Sequence, residues 1–472
     1  MQNLTFEHGI TIIATIILVA LVGVYSARQV KSSSDFATAG RRAGWQIVAG
    51  TILGTFVGGA CTVGSAQMAY QYGLSAWWYT IGAGFGCLGL GVIFGKRLWE
   101  SNAKTVPEIL SFEFGGTARL CSSIIVTLAL FVNIIPQVLS AIALLLSMFK
   151  ITAAFATIIG VGLMIVYVVF GGIWGAGLAG LTKVLLILGS VSVVGGVVFT
   201  QAGGVSGFQN MHPAFPWYSL AGTKGLASGV AGAMSAIIGI MSTQTYIQAI
   251  MSAKGVRTGR LGAIASFIVI PCVGFISTMI GLYMRHQFPD IEPATAFPMF
   301  VLTFINPWFG GVILATLLIS VVGTGAGVTL GISTILSNDI FKKYLKPDAT
   351  DKQVLAMSRI LIVVVLMATV AFISDNLKSS ILGWSILSMG LRGTAAFLPL
   401  IAALFLKGRI YRPAGIAAMI LGPAAVLGWN IILPKSTFDP LYVGLAVGVV
   451  CILAGLLKGK EKEALTIGRQ MS

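Results

Sequence analysis

The chain of 472 residues is 56% hydrophobic and only 9% charged, and its mean hydropathy is +0.94. One water-soluble core cannot bury so much apolar surface, so the composition excludes an ordinary soluble protein and indicates a chain embedded in a lipid bilayer. The net charge of +16 does not indicate a nucleic-acid partner, because most of the basic residues lie in connections between apolar segments.

The apolar segments predict an all-α membrane protein with about thirteen transmembrane helices. A helix needs about 20 apolar residues to cross a bilayer, and solid apolar blocks favour helices over the alternating strands of a barrel. The first segment follows Glu7 and His8 rather than a basic region, so we interpret it as a retained helix and not as a signal peptide. The predicted helices cover residues 9–27, 44–70, 75–95, 120–148, 152–171, 181–200, 225–250, 261–284, 308–336, 357–374, 380–405, 413–433 and 441–457.

The placement of lysine and arginine predicts the orientation of these helices. Alternate connections hold most of the 30 basic residues, and the connections between them hold few. The positive-inside rule therefore predicts an inner (plasma) membrane protein with its N-terminus outside and its C-terminus in the cytoplasm. The tail over residues 458–472 is too short for a soluble domain, so we expect a single transmembrane domain over residues 1–472.

The residues that usually carry enzyme chemistry are scattered. The five cysteines lie in apolar stretches without metal-ligand spacing, and the three histidines lie in outer or terminal segments. No clustered nucleophile, base or metal set is visible, so we expect neither an enzyme nor a resident cofactor, a sodium ion excepted. A channel should show a repeated filter or a charged ring, and the sequence has neither.

Two glycine clusters mark helices whose backbone is predicted to break. Each of these helices begins a block of five, over residues 44–200 and 225–405, and an odd number of crossings inverts the second block relative to the first. Helix 9–27 precedes the blocks, and two C-terminal helices over 413–457 follow them. Paired broken helices build a site at mid-membrane depth from freed carbonyls, although glycines also serve simply for close packing. The clusters are Gly54, Gly58, Gly59 and Gly64 in the second helix, and Gly229, Gly232 and Gly239 in the seventh.

Short strings in a characteristic order then indicate a family. They are SDFATAGR at 34–41, GSA at 64–66, TVPE at 105–108, FGGI at 170–173, QTY at 244–246 and SNDIFK at 337–342. With these strings the chain resembles the sodium:solute symporter family over nearly its whole length. The resemblance implies a five-plus-five inverted repeat of the LeuT type, with discontinuous second and seventh helices. It also implies secondary active symport of a small polar solute by alternating access.

The resemblance further implies a cation site. In that family a sodium ion lies between backbone carbonyls of the broken second helix and hydroxyls of the ninth helix. By position, the carbonyls are those of Gly54 and Val57, and the hydroxyl pair falls on Gly323 and Thr324. One hydroxyl is therefore missing, and a bound sodium ion would have Gly54, Val57 and Thr324 as its metal ligands.

Departures at the start of the sixth helix also bear on the coupling cation. The family's acidic residue is Gly180 here, and the following Gln position is Lys183. None of the 14 acidic residues lies at mid-membrane depth in the predicted topology. Lys183 either extends to the lipid headgroups or places its ammonium beside Thr324 in place of sodium. The second alternative predicts proton-coupled or sodium-independent transport.

Arg392 lies inside the eleventh predicted helix. An intramembrane arginine costs about 2.5–3.5 kcal/mol, so its side chain should face a cavity or a partner. It either bonds carbonyls at a helix end or binds a substrate carboxylate through two parallel hydrogen bonds. The second alternative predicts an anionic or zwitterionic solute.

Seven further polar side chains are candidate substrate ligands, and each also fits an interhelical hydrogen bond. The aromatic run at residues 77–79 is interpreted as a belt at the membrane interface. A sensor that acts with a separate signalling partner is the remaining alternative to a transporter, and the lack of a signalling module after Lys458 weighs against it. The seven candidates are Cys61, Thr62, Gln67, Asn133, Gln137, Gln244 and Tyr246.

Overall fold

The computed structural model describes residues 4–27, 41–222, 225–373, 377, 379–433 and 438–458, and within residues 20, 22–27 and 168–181 it describes the backbone alone. The string at 34–40 and the tail beyond residue 458 lie outside the described residues. Within these ranges all regular structure is helical, apart from one isolated bridge between Ala43 and Ala253. The predicted all-α membrane fold is confirmed.

The described ranges contain twenty α-helices. Short 3-10 or π turns extend or join several of them, at Ala60–Gly64, Gly73–Trp77, Leu90–Phe94, Pro293–Thr295 and Leu336–Leu345. The α-helices are α1 Phe6–Ala27, α2 Trp45–Phe56, α3 Ser65–Tyr72, α4 Trp78–Gly89, α5 Gly95–Glu100, α6 Val106–Phe114, α7 Gly116–Val132, α8 Ile135–Met148, α9 Ala153–Gln201, α10 Gly204–Met211, α11 Ala214–Trp217, α12 Leu226–Ser242, α13 Gln244–Ser252, α14 Val256–Gln287, α15 Ala296–Phe304, α16 Pro307–Ile335, α17 Asp351–Ile373, α18 Ile381–Phe405, α19 Arg412–Ile432 and α20 Pro440–Lys458.

Nine helical spans of the described chain are long and apolar enough to cross a membrane, or ten when the bent pair α12 and α13 counts as one more. Shorter apolar helices such as Trp45–Phe56 and Ala153–Tyr167 add to these. The total of thirteen therefore stays a prediction. One difference is clear in the backbone: α9 is helical from Ala153 to Gln201, where two helices with a break after residue 171 were expected. The intervening stretch holds no proline and no charge before Lys183, so nothing in it forces the helix to end.

The predicted break in the second helix is present, and it lies at Gly58 and Gly59. Helix α2 ends at Phe56, and the backbone passes through Gly58 and Gly59 before the π turn that leads into α3. A Cβ atom on Gly58 would lie 2.2 Å from Thr324 Oγ1, and one on Gly59 would lie 2.1 Å from Ser140 Oγ. No side chain larger than hydrogen fits either position without movement of a neighbouring helix.

The second break is also present, but not at the glycines. Helix α12 continues past them to Ser242, Thr243 is extended (φ −80°, ψ 127°), and α13 continues at an angle of 47°. Gly239 instead allows close packing, since a Cβ atom there would lie 2.5 Å from Met389 Cβ. The seventh helix is thus discontinuous as predicted, and its break follows the glycine cluster.

A third interruption was not expected. The predicted helix over residues 120–148 is divided into α7, which ends at Val132, and α8, which begins at Ile135. Pro136 has no N–H to donate to the carbonyl four residues earlier, which explains the interruption. The first turn of α8 lies beside the first break, where Gln137 contacts Gly59.

Hydrogen bonds and an ion pair tie together the side of the molecule that is predicted to face the cytoplasm. The Arg119 guanidinium contacts the buried carboxylate of Asp339 at 2.6 Å. Trp99 Nε1 donates to the carbonyl of Ala253 at 2.8 Å. Near this ion pair, Thr105 Oγ1 caps α6 by accepting the N–H of Glu108 at 3.2 Å.

Candidate functional site

The ammonium of Lys183 lies at the first break. The side chain is fully buried (0% exposed), and Nζ donates to the carbonyl of Gly54, to the carbonyl of Ser320 at 2.6 Å and to Thr324 Oγ1 at 3.0 Å. The Gly54 carbonyl is available because Gly58 N–H donates to Phe56 O instead. The carbonyls at the C-terminal end of a helix carry partial negative charge, so this position favours a cation.

The neighbouring groups complete this arrangement. Ser320 Oγ donates to the carbonyl of Val57, and Thr324 Oγ1 donates to the carbonyl of Gly54 at 3.3 Å. The four predicted cation-site residues therefore lie together. Ser320 was missed, because a backbone carbonyl leaves no signal in a sequence. The candidate Gly180 lies outside the described side chains.

Gln137 connects this region to α8. Its Oε1 accepts the N–H of Gly59 at 3.0 Å, so the first break is held by a side-chain amide as well as by Lys183. Asn133 is buried at the interruption between α7 and α8. These two predicted candidates thus lie at interruptions of the helical backbone.

The guanidinium of Arg392 forms a second cluster. Arg392 is also fully buried (0% exposed), and Nε donates to the Ser388 carbonyl of its own helix at 3.2 Å. Nη1 and Nη2 have no hydrogen-bond partner among the described residues. The phenols of Tyr246 and Tyr79 are the groups that interact with it electrostatically. Both terminal amino groups of Arg392 are therefore buried without forming a hydrogen bond to the described part of the chain.

Tyr79 and Cys61 join this cluster to the first break. The ring of Tyr79 stacks on Phe56, at the end of α2, with 5.5 Å between centroids. Cys61 is buried within electrostatic range of Tyr79, Tyr246 and Lys183. The interpretation of residue 79 as part of an interface belt is wrong, since Tyr79 is buried in the core. The cluster of Cys61, Tyr79, Tyr246 and Arg392 is called the arginine cluster below.

Three other candidates are engaged elsewhere. Thr62 Oγ1 donates to the Gly58 carbonyl of its own segment at 2.9 Å. Gln67 Oε1 accepts the N–H of Ile381 at 3.1 Å, at the start of α18. Gln244 bonds the connection before α6, accepting from Val106 N at 2.7 Å and donating to Lys104 O at 3.1 Å.

The core thus holds two buried basic side chains, Lys183 and Arg392. In the described part of the chain, no carboxylate forms an ion pair with Lys183 or Arg392, and the one fully buried acidic side chain there, Asp339, faces Arg119. An all-helical membrane domain with paired broken helices, and buried polar groups beside one of the breaks, is typical of transporters of the LeuT type.

The comparison with known families agrees. The sequence model of the Sodium:solute symporter family matches residues 36–422, and the chain belongs to this family. It is a multi-pass membrane protein of a family of secondary active symporters, which points away from an enzyme.

Curated relatives are similar over most of their length. The chain is 22% identical to the osmoregulated proline transporter OpuE of Bacillus subtilis (strain 168), over 93% of this chain and 92% of that protein. It is 21% identical to the sodium/proline symporter of Escherichia coli (strain K12), over 94% and 91%. It is 26% identical to the urea-proton symporter DUR3 of Oryza sativa subsp. japonica, over 78% of this chain and 56% of that protein.

Among solved structures, the chain is similar to a Na⁺-coupled sialic acid symporter in a substrate-bound, outward-open state. The TM-score is 0.81 with 18% identity, over 97% of this chain and 98% of the other. This similarity supports the fold.

Proposed function

We propose that this protein is a secondary active transporter that takes up a small, polar, carboxylate-bearing solute, and that the ammonium of Lys183 takes the place of the coupling sodium ion. The family supplies the general activity. The position of Lys183 Nζ between Gly54 O, Ser320 O and Thr324 Oγ1 carries the finer proposal.

These residues do not fit a sodium ion while Lys183 is charged. The ion would need the oxygens that the ammonium already contacts, and Gly323 supplies no second hydroxyl. Two unit charges about 4 Å apart repel each other by about 4 kcal/mol at an effective dielectric constant of 20. That energy corresponds to a loss of roughly a thousandfold in sodium affinity, which explains why one cation excludes the other.

A lysine can also couple transport to protons. A neutral amine donates one hydrogen bond fewer than an ammonium, so loss of the proton weakens the contacts of Lys183 with α2 and α16. Helix α2 ends at the first break, and the continuous helix α16 supplies Ser320 and Thr324 beside it. Weaker contacts between Lys183 and these two helices favour a rearrangement at the break. The rice relative DUR3 is a urea-proton symporter, so proton symport occurs in a protein similar to this chain.

Uptake into proteoliposomes tests the proposal. We expect the purified protein to accumulate a labelled solute equally well when sodium is replaced by potassium, and faster when an inward proton gradient is imposed. Lys183→Met should remove the response to the proton gradient. Lys150→Met, an identical change at an exposed lysine, should not. Strict sodium dependence that persists in active Lys183→Met protein would refute the lysine role.

A further inference from the structure

The arginine cluster offers hydrogen-bond donors without acceptors. Nη1 and Nη2 of Arg392 have no described partner although the side chain is fully buried. An unpaired buried donor costs about 1–3 kcal/mol, and more when it is charged. Ser385 Oγ, seven residues earlier on the same face of α18, is also buried without a hydrogen bond of good geometry among the described residues. Such a surface favours a ligand that brings acceptors.

Several backbone acceptors at the two breaks already accept hydrogen bonds from the protein itself. At the first break, Gly54 O and Val57 O accept from Lys183 and Ser320. At the second break, Thr243 satisfies the last turn of α12: its hydroxyl donates to the Gly239 carbonyl, and its N–H donates to Ile240 O at 3.3 Å. At both breaks, carbonyls that a substrate ammonium could have used are therefore hydrogen-bonded to the protein's own donors, namely those of Gly54, Val57, Gly239 and Ile240.

The buried charges also disfavour a solute that carries an amino group. Lys183 and Arg392 are both buried, and no carboxylate of the described chain pairs with either of them. An amino group beside Arg392 would meet repulsion from the guanidinium and would find no carboxylate of the described chain as a counter-charge. A carboxylate without an amino group would instead neutralise the guanidinium charge.

We propose that the transported solute is a small organic anion with a carboxylate and no ammonium group, of the hydroxy-acid, keto-acid or simple monocarboxylate class. Its carboxylate accepts hydrogen bonds from Nη1 and Nη2 of Arg392, and the hydroxyl of Tyr246 supplies a further donor. This inference depends on the proposed transport function, and it separates this chain from the proline transporters among its relatives.

Matched ligand pairs test the inference on the purified full-length protein. Thermal shifts are measured with monocarboxylates of two to eight carbons, each beside its 2-amino acid and its neutral amide, and uptake of the labelled compounds is then measured in proteoliposomes. We expect at least one carboxylate to bind at least tenfold more tightly than its amino acid and its amide. Arg392→Gln should raise the KM of that carboxylate at least 30-fold, while Arg257→Gln, at an exposed arginine, should leave it unchanged.

A second variant covers the case in which Arg392→Gln does not fold. Tyr246→Phe removes one hydroxyl at constant shape and should raise the same KM severalfold. Equal or tighter binding of the amino acids, no shift with any carboxylate, or an unchanged KM in folded Arg392→Gln would overturn the inference. Uptake of an amino acid with exclusion of its carboxylate partner would leave the transport function intact, whereas the absence of all uptake would count against the transport function itself.

Discussion

Gly323 faces the ammonium of Lys183: a Cβ atom at Gly323 would lie 3.5 Å from Lys183 Nζ. The same Cβ would lie 3.4 Å from Tyr167 Oη, and the Lys183 amine beside it contacts Gly54 O and Thr324 Oγ1. Under the proposal that the Lys183 ammonium takes the place of sodium, the lysine supplies the cation and Gly323 lacks the hydroxyl that a sodium ion would need as a ligand.

The double variant Lys183→Met, Gly323→Ser should therefore bind sodium. Removal of the ammonium vacates the carbonyls of the first break, and the added hydroxyl completes the pair with Thr324. If 100 mM sodium is about 100 times the Kd, binding stabilises the folded protein by about 2.7 kcal/mol. The measurement is the Tm in sodium chloride against choline chloride.

The single variant Gly323→Ser is the control, because it retains the competing ammonium and should show no shift specific to sodium. A shift of equal size in the unchanged protein would mean that Lys183 does not exclude the ion.

Most of the helix positions could be predicted, because lipid imposes a physical requirement that is visible in the sequence. Long apolar segments located α14, α16, α18, α19 and α20 to within a few residues. Breaks were harder. Gly58 and Gly59 marked theirs, and Pro136 is a helix breaker that the hydropathy pattern does not weigh, whereas Thr243 carries no comparable signal. A single extended residue, or a single missing N–H, changes hydropathy hardly at all.

The candidate site was predictable only in part for a similar reason. Lys183 and Arg392 were recognisable because a charge inside a bilayer is costly. Tyr79 was not, since an aromatic residue beside two tryptophans fits an interface belt equally well. Gln67 and Gln244 were indistinguishable from ligands, because only the fold shows which backbone groups they satisfy.

The packing of the first break should be intolerant of a single methyl group. Gly59→Ala would place Cβ 2.3 Å from Ser140 Cβ, and overpacking of this kind costs about 1–3 kcal/mol. Ser140→Gly in the same chain removes the obstacle and should recover much of the lost stability, measured as Tm in detergent and analysed as a double-mutant cycle. Gly162→Ala, where no atom lies within 4 Å of the added Cβ, should be neutral. Equal effects of the two alanine substitutions would contradict the close approach.

Gln67 should stabilise the fold rather than bind the solute. Gln67→Leu leaves the Ile381 N–H at the start of α18 without its acceptor, which costs about 1–3 kcal/mol, so Tm should fall while KM stays constant. Gln71→Leu, the same change at an exposed position one turn later, should alter neither. A raised KM at unchanged Tm would instead support Gln67 as the substrate ligand that the sequence suggested.

His212 lies directly after α10 and contacts Leu282 O of α14. This contact should make the stability of the protein sensitive to pH. Burial lowers the pKa of His212 from its ordinary value of 6.5, the charges of His286 and Arg285 lower it further, and a hydrogen bond with Leu282 O opposes them. As the pH falls below about 6.5, the unfolded chain binds a proton before the folded chain does. Stability is therefore fully present above that pH and is lost below it. His212→Gln should reduce the decrease in Tm between pH 7.5 and 5.5, whereas His286→Gln, at an exposed position, should reduce it less. An unchanged pH dependence in His212→Gln would assign it to other groups.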